Sequence, residues 1–141
     1  MIVYLDSSIV LRKLLLQKGA ISGDIWARWE RAFTSNLLRL EVLRTLDNAR
    51  LLNELGGKEI ARIVQSFLQM MQSVGEIPVS PNILHRAALS YPTPLRSLDA
   101  IHLASALVWR ENEGREITVL THDAQLGHAA RAVGLQADGF D

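Results

Sequence analysis

The sequence predicts an α/β protein with a central, mostly parallel β-sheet and helices on both faces. Short apolar runs alternate with longer segments of helical periodicity along all 141 residues. Two of these runs, residues 2–5 and 117–121, are almost wholly apolar or β-branched, which is typical of strands buried on both faces. Strands that alternate with helices form right-handed βαβ units, so neighbouring strands run in parallel.

Residues 1–36 predict two strands and two helices. The strand "IVYL" is followed from Ser7 by apolar residues at helical spacing, and the glycines of "QKGAISGD" end that helix. Asp24 caps the next predicted helix, in which Trp26 and Trp29 share a face with Ile25 and are assigned to core packing. The segment "FTSN" is the second strand.

The middle of the chain predicts three helices and an edge strand. Helices cover residues 37–52 and 58–74, and Pro81 opens a third, short one. The segment "EIPVS" is the third strand, placed at the sheet edge because proline cannot donate a ladder hydrogen bond. The second helix carries an apolar stripe that serves either the core or a partner interface. This stripe consists of Ile60, Ile63, Val64, Phe67, Leu68 and Met71.

The last third of the chain predicts two helices and two strands. Ser97 is the expected N-cap of a helix that runs to about residue 113 and ends at Gly114. Residues 117–121 form a buried strand, residues 123–133 the last helix, and "GLQA" a final strand.

The composition is that of an ordinary globular protein. Hydrophobic residues make up 48% and charged residues 21%, and the length suits one domain spanning residues 1–141. No apolar run reaches the ~20 residues of a membrane helix and no basic leader precedes the first strand, so we expect a cytoplasmic protein without membrane association. The 15 basic and 15 acidic residues cancel, so phosphate binding must be local. Without cysteine there is neither a disulfide framework nor a thiolate metal site.

Four acidic residues are predicted at the same rim of the sheet. Asp6 and Asp123 follow the two buried strands, and Asp99 lies in the first turn of a helix entered from a loop. Glu41 lies one turn into the helix after "FTSN", at the border of its apolar face. Ligands of open parallel sheets bind outside the carboxyl ends of the strands, so these side chains are expected to converge.

Each acid also has a purely structural interpretation. Asp6 and Asp123 suit helix N-caps, Asp99 suits the macrodipole at a helix start, and Glu41 suits an ion pair with Arg44. As a set, however, clustered carboxylates repel one another and either bind protons at raised pKa or hold a cation. Mg²⁺ prefers oxygen ligands, and it can acidify a water and stabilise charge on a phosphodiester.

The histidines make a weaker case for chemistry than the acids do. His102 lies one turn after Asp99 and His122 adjoins Asp123, but His85 and His128 share no spacing with them. A catalytic triad also requires a poised nucleophile, and the sequence offers none.

Four segments, in order and over nearly the full length, resemble the PIN-domain ribonucleases, in particular VapC-type toxins of toxin–antitoxin modules. They are "IVYLDSSIVL", "LLRLEVLRTL", "LRSLDAIHLASAL" and "ITVLTHDAQL", with "SLDAIHLASA" the most specific. The resemblance implies a three-layer α/β/α sandwich around a parallel sheet. It also implies an Mg²⁺- or Mn²⁺-dependent endoribonuclease site.

The resemblance also implies roles for particular residues. The family's acidic quartet falls on Asp6, Glu41, Asp99 and Asp123, of which Glu41 is expected to position or deprotonate the attacking water and the three aspartates to bind the metal directly or through water. The family's hydroxyl positions fall on Ser8 and Thr121, which are expected to orient the acids, while Arg44 and Arg96 are candidates to neutralise phosphate.

One position departs from the pattern. Many relatives carry a further acid shortly after the fourth, where this chain reads Ala124, Gln125 and Leu126, which weakens the expectation of a second metal more than that of the first. The implied substrate is RNA, cleaved to leave a 5′-phosphate, and the implied partner is an antitoxin whose C-terminal segment covers the site. A homodimer formed through helices is also implied, and the apolar stripe suits it.

Two other functions fit parts of the sequence. A PIN-like module that binds RNA or a partner protein without turnover would carry the same residues. A phosphatase of the haloacid dehalogenase type also begins with an acid after a strand, but it normally needs a second Asp two residues later, where this chain has Ser8.

Overall fold

The described part of the chain, residues 1–16 and 28–141 of a computed structural model, contains a five-stranded sheet in which every pairing is parallel. The strands are β1 (Ile2–Leu5), β2 (Arg31–Ser35), β3 (Val74–Ile77), β4 (Thr118–Leu120) and β5 (Gln136–Asp138). Their order in the sheet is β3-β2-β1-β4-β5.

Helices cover both faces of this sheet, which confirms the predicted three-layer α/β/α sandwich. The helices are α1 (Ser7–Leu14), α2 (Leu37–Leu51), α3 (Gly57–Met71), α4 (Pro81–Ala87), α5 (Ser97–Glu113) and α6 (Ala124–Ala132). Val3 and Leu5 pack against α1, α2 and α3, while Ile2 and Tyr4 pack against α5 and α6. Among the described residues no helix is long and apolar enough to cross a membrane.

The central strand β1 determines where a ligand can bind. β1 pairs with β2 on one side and with β4 on the other, with Val3 opposite both Ala32 and Thr118. The chain builds outward from β1 to β3 and then returns to β4, so the connections leave in opposite directions at the junction of β1 and β4. A crevice opens at the carboxyl ends of the strands at such a junction. Asp6 is the first residue after β1.

Several predicted boundaries are confirmed by local chemistry. Ser80 caps α4 by accepting a hydrogen bond from the N–H of Ile83 at 3.2 Å, and Gly114 ends α5 with φ of +64°. β3 is an edge strand, as Pro78 in the predicted strand "EIPVS" indicated, but it covers Val74–Ile77 and ends before that proline.

Other predicted boundaries are wrong. α3 ends at Met71 and β3 begins at Val74, so the helix predicted over residues 58–74 was too long and included the first strand residue. Val74 is apolar and also fits the spacing of the helical stripe. Arg96, with extended backbone, occupies the N-cap of α5, and Ser97 is its first helical residue. Most of the helix predicted after Asp24 lies outside the described residues.

The apolar stripe of α3 belongs mainly to the core. Ile63, Phe67 and Met71 are buried against the sheet, and Ile60 and Val64 are partly buried in the same cluster. Leu68 alone in the stripe is largely exposed, at 46%. The stripe therefore gives little support to a dimer interface.

The C-terminal segment packs on α6 through an aromatic ring. Phe140 lies against Gly127, so close that a Cβ built on this glycine would be 2.3 Å from Phe140 Cδ1. The guanidinium of Arg131 covers the same ring at 4.3 Å from its centroid, and it also donates hydrogen bonds to the carbonyl of Ala137. A glycine is therefore required at this helical position by close approach.

Gly127→Ala is expected to destabilise the protein by about 1–3 kcal/mol, because the methyl group displaces the Phe140 ring. In a Phe140→Ala background the same change should stabilise by about 0.5–1 kcal/mol, since alanine is the better helix residue. Urea denaturation of the single and double variants measures both values. Gly57→Ala is the matched control, because nothing lies within 4 Å of its added Cβ. A destabilisation by Gly127→Ala that is equal in both backgrounds would contradict this packing.

Candidate active site at the carboxyl edge of the sheet

A cavity of about 460 Å³ opens at the carboxyl edge of the sheet, and all four predicted acids line it. The acids come from four separate parts of the chain: the residue after β1, the second turn of α2, the first turn of α5 and the N-cap of α6. The convergence expected from the sequence is therefore present. The other residues that line the cavity are Ser7, Ser8, Leu11, Arg96, Ser97 and Leu98.

Asp6 is the most enclosed of these acids, with its side chain 5% exposed. Its Oδ2 accepts hydrogen bonds from Ser8 Oγ at 2.6 Å and from Thr121 Oγ1 at 2.8 Å. Ser8 Oγ in turn accepts from the N–H of His122, so one hydroxyl ties the start of α1 to the segment after β4. The two hydroxyls contact the acid as predicted and leave Oδ1 for other partners.

Asp123 combines a helix cap with a place in the cavity. Its Oδ1 accepts hydrogen bonds from the N–H groups of Gln125 at 2.8 Å and Leu126 at 3.2 Å, which is N-cap geometry. Its own N–H donates to Thr121 Oγ1, and its Oδ2 lies 4.0 Å from Arg96 Nη2. The capping interpretation therefore holds, but it uses one of two oxygens.

Asp99 carries the least satisfied oxygen of the cavity. Its Oδ2 is buried and accepts no hydrogen bond from any residue in the described ranges, while Arg96 Nε lies 3.8 Å away. Burial raises the pKa of Asp99, and the negative charges of Asp123 and Asp6 raise it further against the weaker opposing effects of Arg96 and His102. The cavity therefore holds carboxylates close enough to repel one another.

Glu41 does not pair with Arg44, so that structural interpretation is wrong. Arg44 instead donates to Asp47 and Asn48, both on its own helix, and it is not among the residues lining the cavity. Glu41 Oε1 lies 2.5 Å from His102 Nε2, and its Oε2 accepts from Ser7 Oγ at 3.1 Å.

His102 is the residue that sequence reasoning missed. Its ring is buried between Glu41 and Tyr4, whose hydroxyl lies 2.7 Å from Nδ1. Burial lowers the pKa of His102, but the hydrogen bond to Glu41 and the charges of Asp6, Glu41 and Asp99 outweigh it and raise the pKa above its usual value. The available signal was the spacing of three residues from Asp99, which places both on one face of α5.

Of the two arginines considered, Arg96 alone lines the cavity. Its side chain is 81% exposed and lies within ion-pair distance of both Asp99 and Asp123. Such exposed pairs contribute little to stability, so Arg96 is free to exchange partners when another anion approaches.

The cavity's donor chemistry fits a hard divalent cation. Its four acidic side chains offer carboxylate oxygens as ligands, and the buried Oδ2 of Asp99 has no hydrogen bond from the described residues and is available to a cation. Among the described residues no group of three or more acidic, histidine or cysteine side chains is arranged to hold an ion by itself. Mg²⁺ is usually bound through one or two carboxylates, with waters and substrate phosphate completing the shell.

The fold and cavity define the class of protein: an α/β sandwich with a carboxylate pocket at the point where strand order reverses. The PIN-domain family matches residues 3–132, and the chain belongs to this family. It is 31% identical over 138 residues to Ribonuclease VapC47 of Mycobacterium tuberculosis (strain CDC 1551 / Oshkosh), a match that covers 94% of this chain and 92% of that protein.

Solved structures share the fold over nearly their whole lengths. A toxin–antitoxin complex from Klebsiella pneumoniae has a TM-score of 0.68 at 17% identity, covering 99% of this chain and 98% of that one. VapBC2 from Rickettsia felis, bound to a promoter DNA fragment, has a TM-score of 0.62 at 13% identity and 98% coverage of both chains. PAE2754 from Pyrobaculum aerophilum has a TM-score of 0.60 at 21% identity, covering 96% and 89%.

Thr121→Val is expected to destabilise the protein by about 2 kcal/mol, because it removes a hydrogen-bond donor from the buried carboxylate of Asp6 and the acceptor of the Asp123 N–H. Thr118→Val, on the strand that Thr121 directly follows, is the matched control: the Thr118 hydroxyl donates to the neutral amide of Gln136, so its loss should cost about 1 kcal/mol or less. Urea denaturation gives both values. If the two substitutions lower the free energy of unfolding equally, the bond from Thr121 to the Asp6 carboxylate is no stronger than a bond to a neutral amide.

Proposed function

We propose that this chain is a metal-dependent endoribonuclease that acts as the toxin of a toxin–antitoxin pair. The chain is a VapC-type PIN ribonuclease, by its family match over residues 3–132 and its similarity to Ribonuclease VapC47. The single observation that carries the metal-dependent chemistry is the convergence of Asp6, Glu41, Asp99 and Asp123 on one cavity.

In this proposal Asp6, Asp99 and Asp123 hold one Mg²⁺ or Mn²⁺ ion, directly or through water. A bound divalent ion supplies Lewis-acid stabilisation of phosphate charge and lowers the pKa of a coordinated water. Ser8 and Thr121 fix the orientation of Asp6 by hydrogen bonds to its Oδ2. The Oδ2 of Asp99, which has no hydrogen bond from the described residues, is available as a ligand for the ion. Charge repulsion within the cavity favours binding of a cation.

Glu41 takes the proton of the attacking water in this proposal. The water oxygen attacks phosphorus, the bond from phosphorus to the 3′-oxygen breaks, and the leaving 3′-oxygen takes a proton from solvent, so the products are a 5′-phosphate and a 3′-hydroxyl. Glu41 suits this role because its carboxylate lines the cavity yet is anchored by His102 and Ser7. Arg96, at the cavity and largely exposed, is placed to leave its two aspartates and contact a phosphate.

The proposed partners are an RNA substrate, an antitoxin and a second copy of the chain. The matched structures from Klebsiella pneumoniae and Rickettsia felis are a toxin–antitoxin complex and a VapBC complex, which supports an antitoxin as partner. We propose that the C-terminal segment of this antitoxin covers the cavity. For a homodimer, Leu84, Leu89 and Leu98 near α4 and the start of α5 are about half exposed and suit an apolar contact better than the α3 stripe does. We place this pair in the cytoplasm, where its RNA substrate would be.

Purified protein is expected to cleave RNA with Mg²⁺ or Mn²⁺, and both EDTA and Asp6→Asn should reduce the rate by about 10²-fold or more, because a charged group acting on the reaction is lost. Gel analysis of total and synthetic RNA measures cleavage. Asp47→Asn is the matched control, since Asp47 pairs with Arg44 and Arg50 outside the cavity. RNA binding without metal-dependent cleavage would instead identify a PIN-like binding module.

Divalent metal is expected to raise the melting temperature, because a ligand that binds only the native state stabilises it by mass action. At ten times its Kd, Mg²⁺ adds about 1.4 kcal/mol, or a few degrees for a chain of this size. Asp99→Asn should abolish this increase while Asp47→Asn retains it. Scanning calorimetry from zero to millimolar Mg²⁺ measures the shift, and identical responses of the two variants would place the metal elsewhere.

A further inference from the structure

We propose that His102 is a positioning residue that orients Glu41 toward the attacking water, with Tyr4 and the backbone of Ser35 fixing the orientation of His102. This inference rests on the proposed ribonuclease activity and concerns residues that lie behind the acids. The structural basis is an unbroken chain of short hydrogen bonds from the sheet to the cavity.

The carboxylate of Glu41 is anchored at both oxygens by residues of two other helices. His102 Nε2, on α5, lies 2.5 Å from Oε1, and Ser7 Oγ, on α1, donates to Oε2 at 3.1 Å. Glu41 itself is on α2, which lies on the opposite face of the sheet from α5. The pair therefore connects the two helical layers across the carboxyl edge, and this connection fixes a side chain that otherwise has several rotamers.

The order of donors along this series of hydrogen bonds determines whether His102 presents an N–H group or a lone pair to Glu41. The N–H of Ser35 donates to the Tyr4 oxygen at 3.1 Å, and this oxygen lies 2.7 Å from His102 Nδ1, so we assign the phenolic hydrogen to the contact with Nδ1. In the neutral ring Nδ1 is then the acceptor, so the proton lies on Nε2 and faces the carboxylate. Tyr4 and His102 are both 1% exposed or less, so bulk water does not compete for these bonds.

A purely structural role for this pair is the competing interpretation. Tyr4 and His102 also pack edge to face, with ring centroids 5.8 Å apart, and they belong to the core beneath the cavity. Core packing alone, however, requires no donor aimed at a cavity-lining carboxylate. The two interpretations separate when packing and hydrogen bonding are changed independently.

Three substitutions make that separation. His102→Gln places an amide N–H near the position of Nε2 and keeps a donor toward Glu41. His102→Asn places its amide near Nδ1 and keeps contact only with Tyr4, and His102→Leu keeps neither. We expect kcat to fall a few-fold for His102→Gln and about 10²-fold for the other two, with KM for RNA little changed, because a misplaced catalytic group slows the chemical step. Tyr4→Phe should fall between these values.

To exclude effects of unfolding, kcat is measured below the melting temperature of each variant. Thr118→Val is the control for a buried polar substitution: it lies at the far end of β4 and should leave kcat unchanged. Equal kcat losses for His102→Gln and His102→Leu, or wild-type turnover by His102→Leu, would overturn the role of His102. Absence of metal-dependent cleavage by the wild-type protein would instead overturn the proposed function.

A measurement without turnover tests the hydrogen bond itself. Long-range ¹H–¹⁵N NMR of the wild-type protein should show a protonated Nε2 on His102 in slow exchange with solvent, and Tyr4→Phe should change the Nδ1 shift. This protonation is expected whether the ring is neutral or cationic. An unprotonated Nε2 would overturn the inference, whatever the activity.

Discussion

The carboxylate of Asp6, buried at the end of the central strand, is the group on which the rest of the site depends. Moving a charge out of water costs several kcal/mol unless hydrogen bonds compensate it. Here the compensation comes from Ser8 at the start of α1 and Thr121 directly after β4. Because α1 follows β1, and β4 pairs with β1, satisfying Asp6 also aligns the carboxyl ends of β1 and β4. This alignment fixes the position of Asp6 in the crevice.

The other three acids of the site are less completely hydrogen-bonded than Asp6, and they differ from one another in this respect. Glu41 is anchored by His102 and Ser7, whereas Asp99 has a buried oxygen without a hydrogen bond from the described residues. The burial and the charge repulsion that raise the pKa of Asp99 oppose folding, and exposed Arg96 relieves the repulsion only weakly. A protein optimised for stability alone would remove one of these acids. Their retention is understandable if a cation or a phosphate-bound ion completes the site.

Much of this arrangement could be predicted from the sequence, and the failures have a common physical origin. Asp6 and Asp123 were placed correctly because each follows a buried strand, and strand ends of a parallel sheet share an edge. Their catalytic roles stay predictions. The partner of Glu41 was not predictable, because Arg44 is its local neighbour while His102 lies 61 residues away on the other helical layer. Likewise, Val74 continues the helical spacing of Phe67 and Met71, and only pairing with β2 makes it a strand residue.

Helix capping and participation in a site are alternative explanations for Asp6 and Asp123 from the sequence, but a carboxylate has two oxygens, and in the structure the two oxygens have different partners. Asp123 caps α6 through Oδ1 and lies near Arg96 through Oδ2, while Asp6 is held through Oδ2 and leaves Oδ1 near His102. The oxygen used for folding fixes the position of the other one. A carboxylate at a strand-to-helix junction is therefore rigid without extra packing. This rigidity explains why acids at such junctions suit metal-dependent chemistry, which requires ligands held in place before the ion arrives.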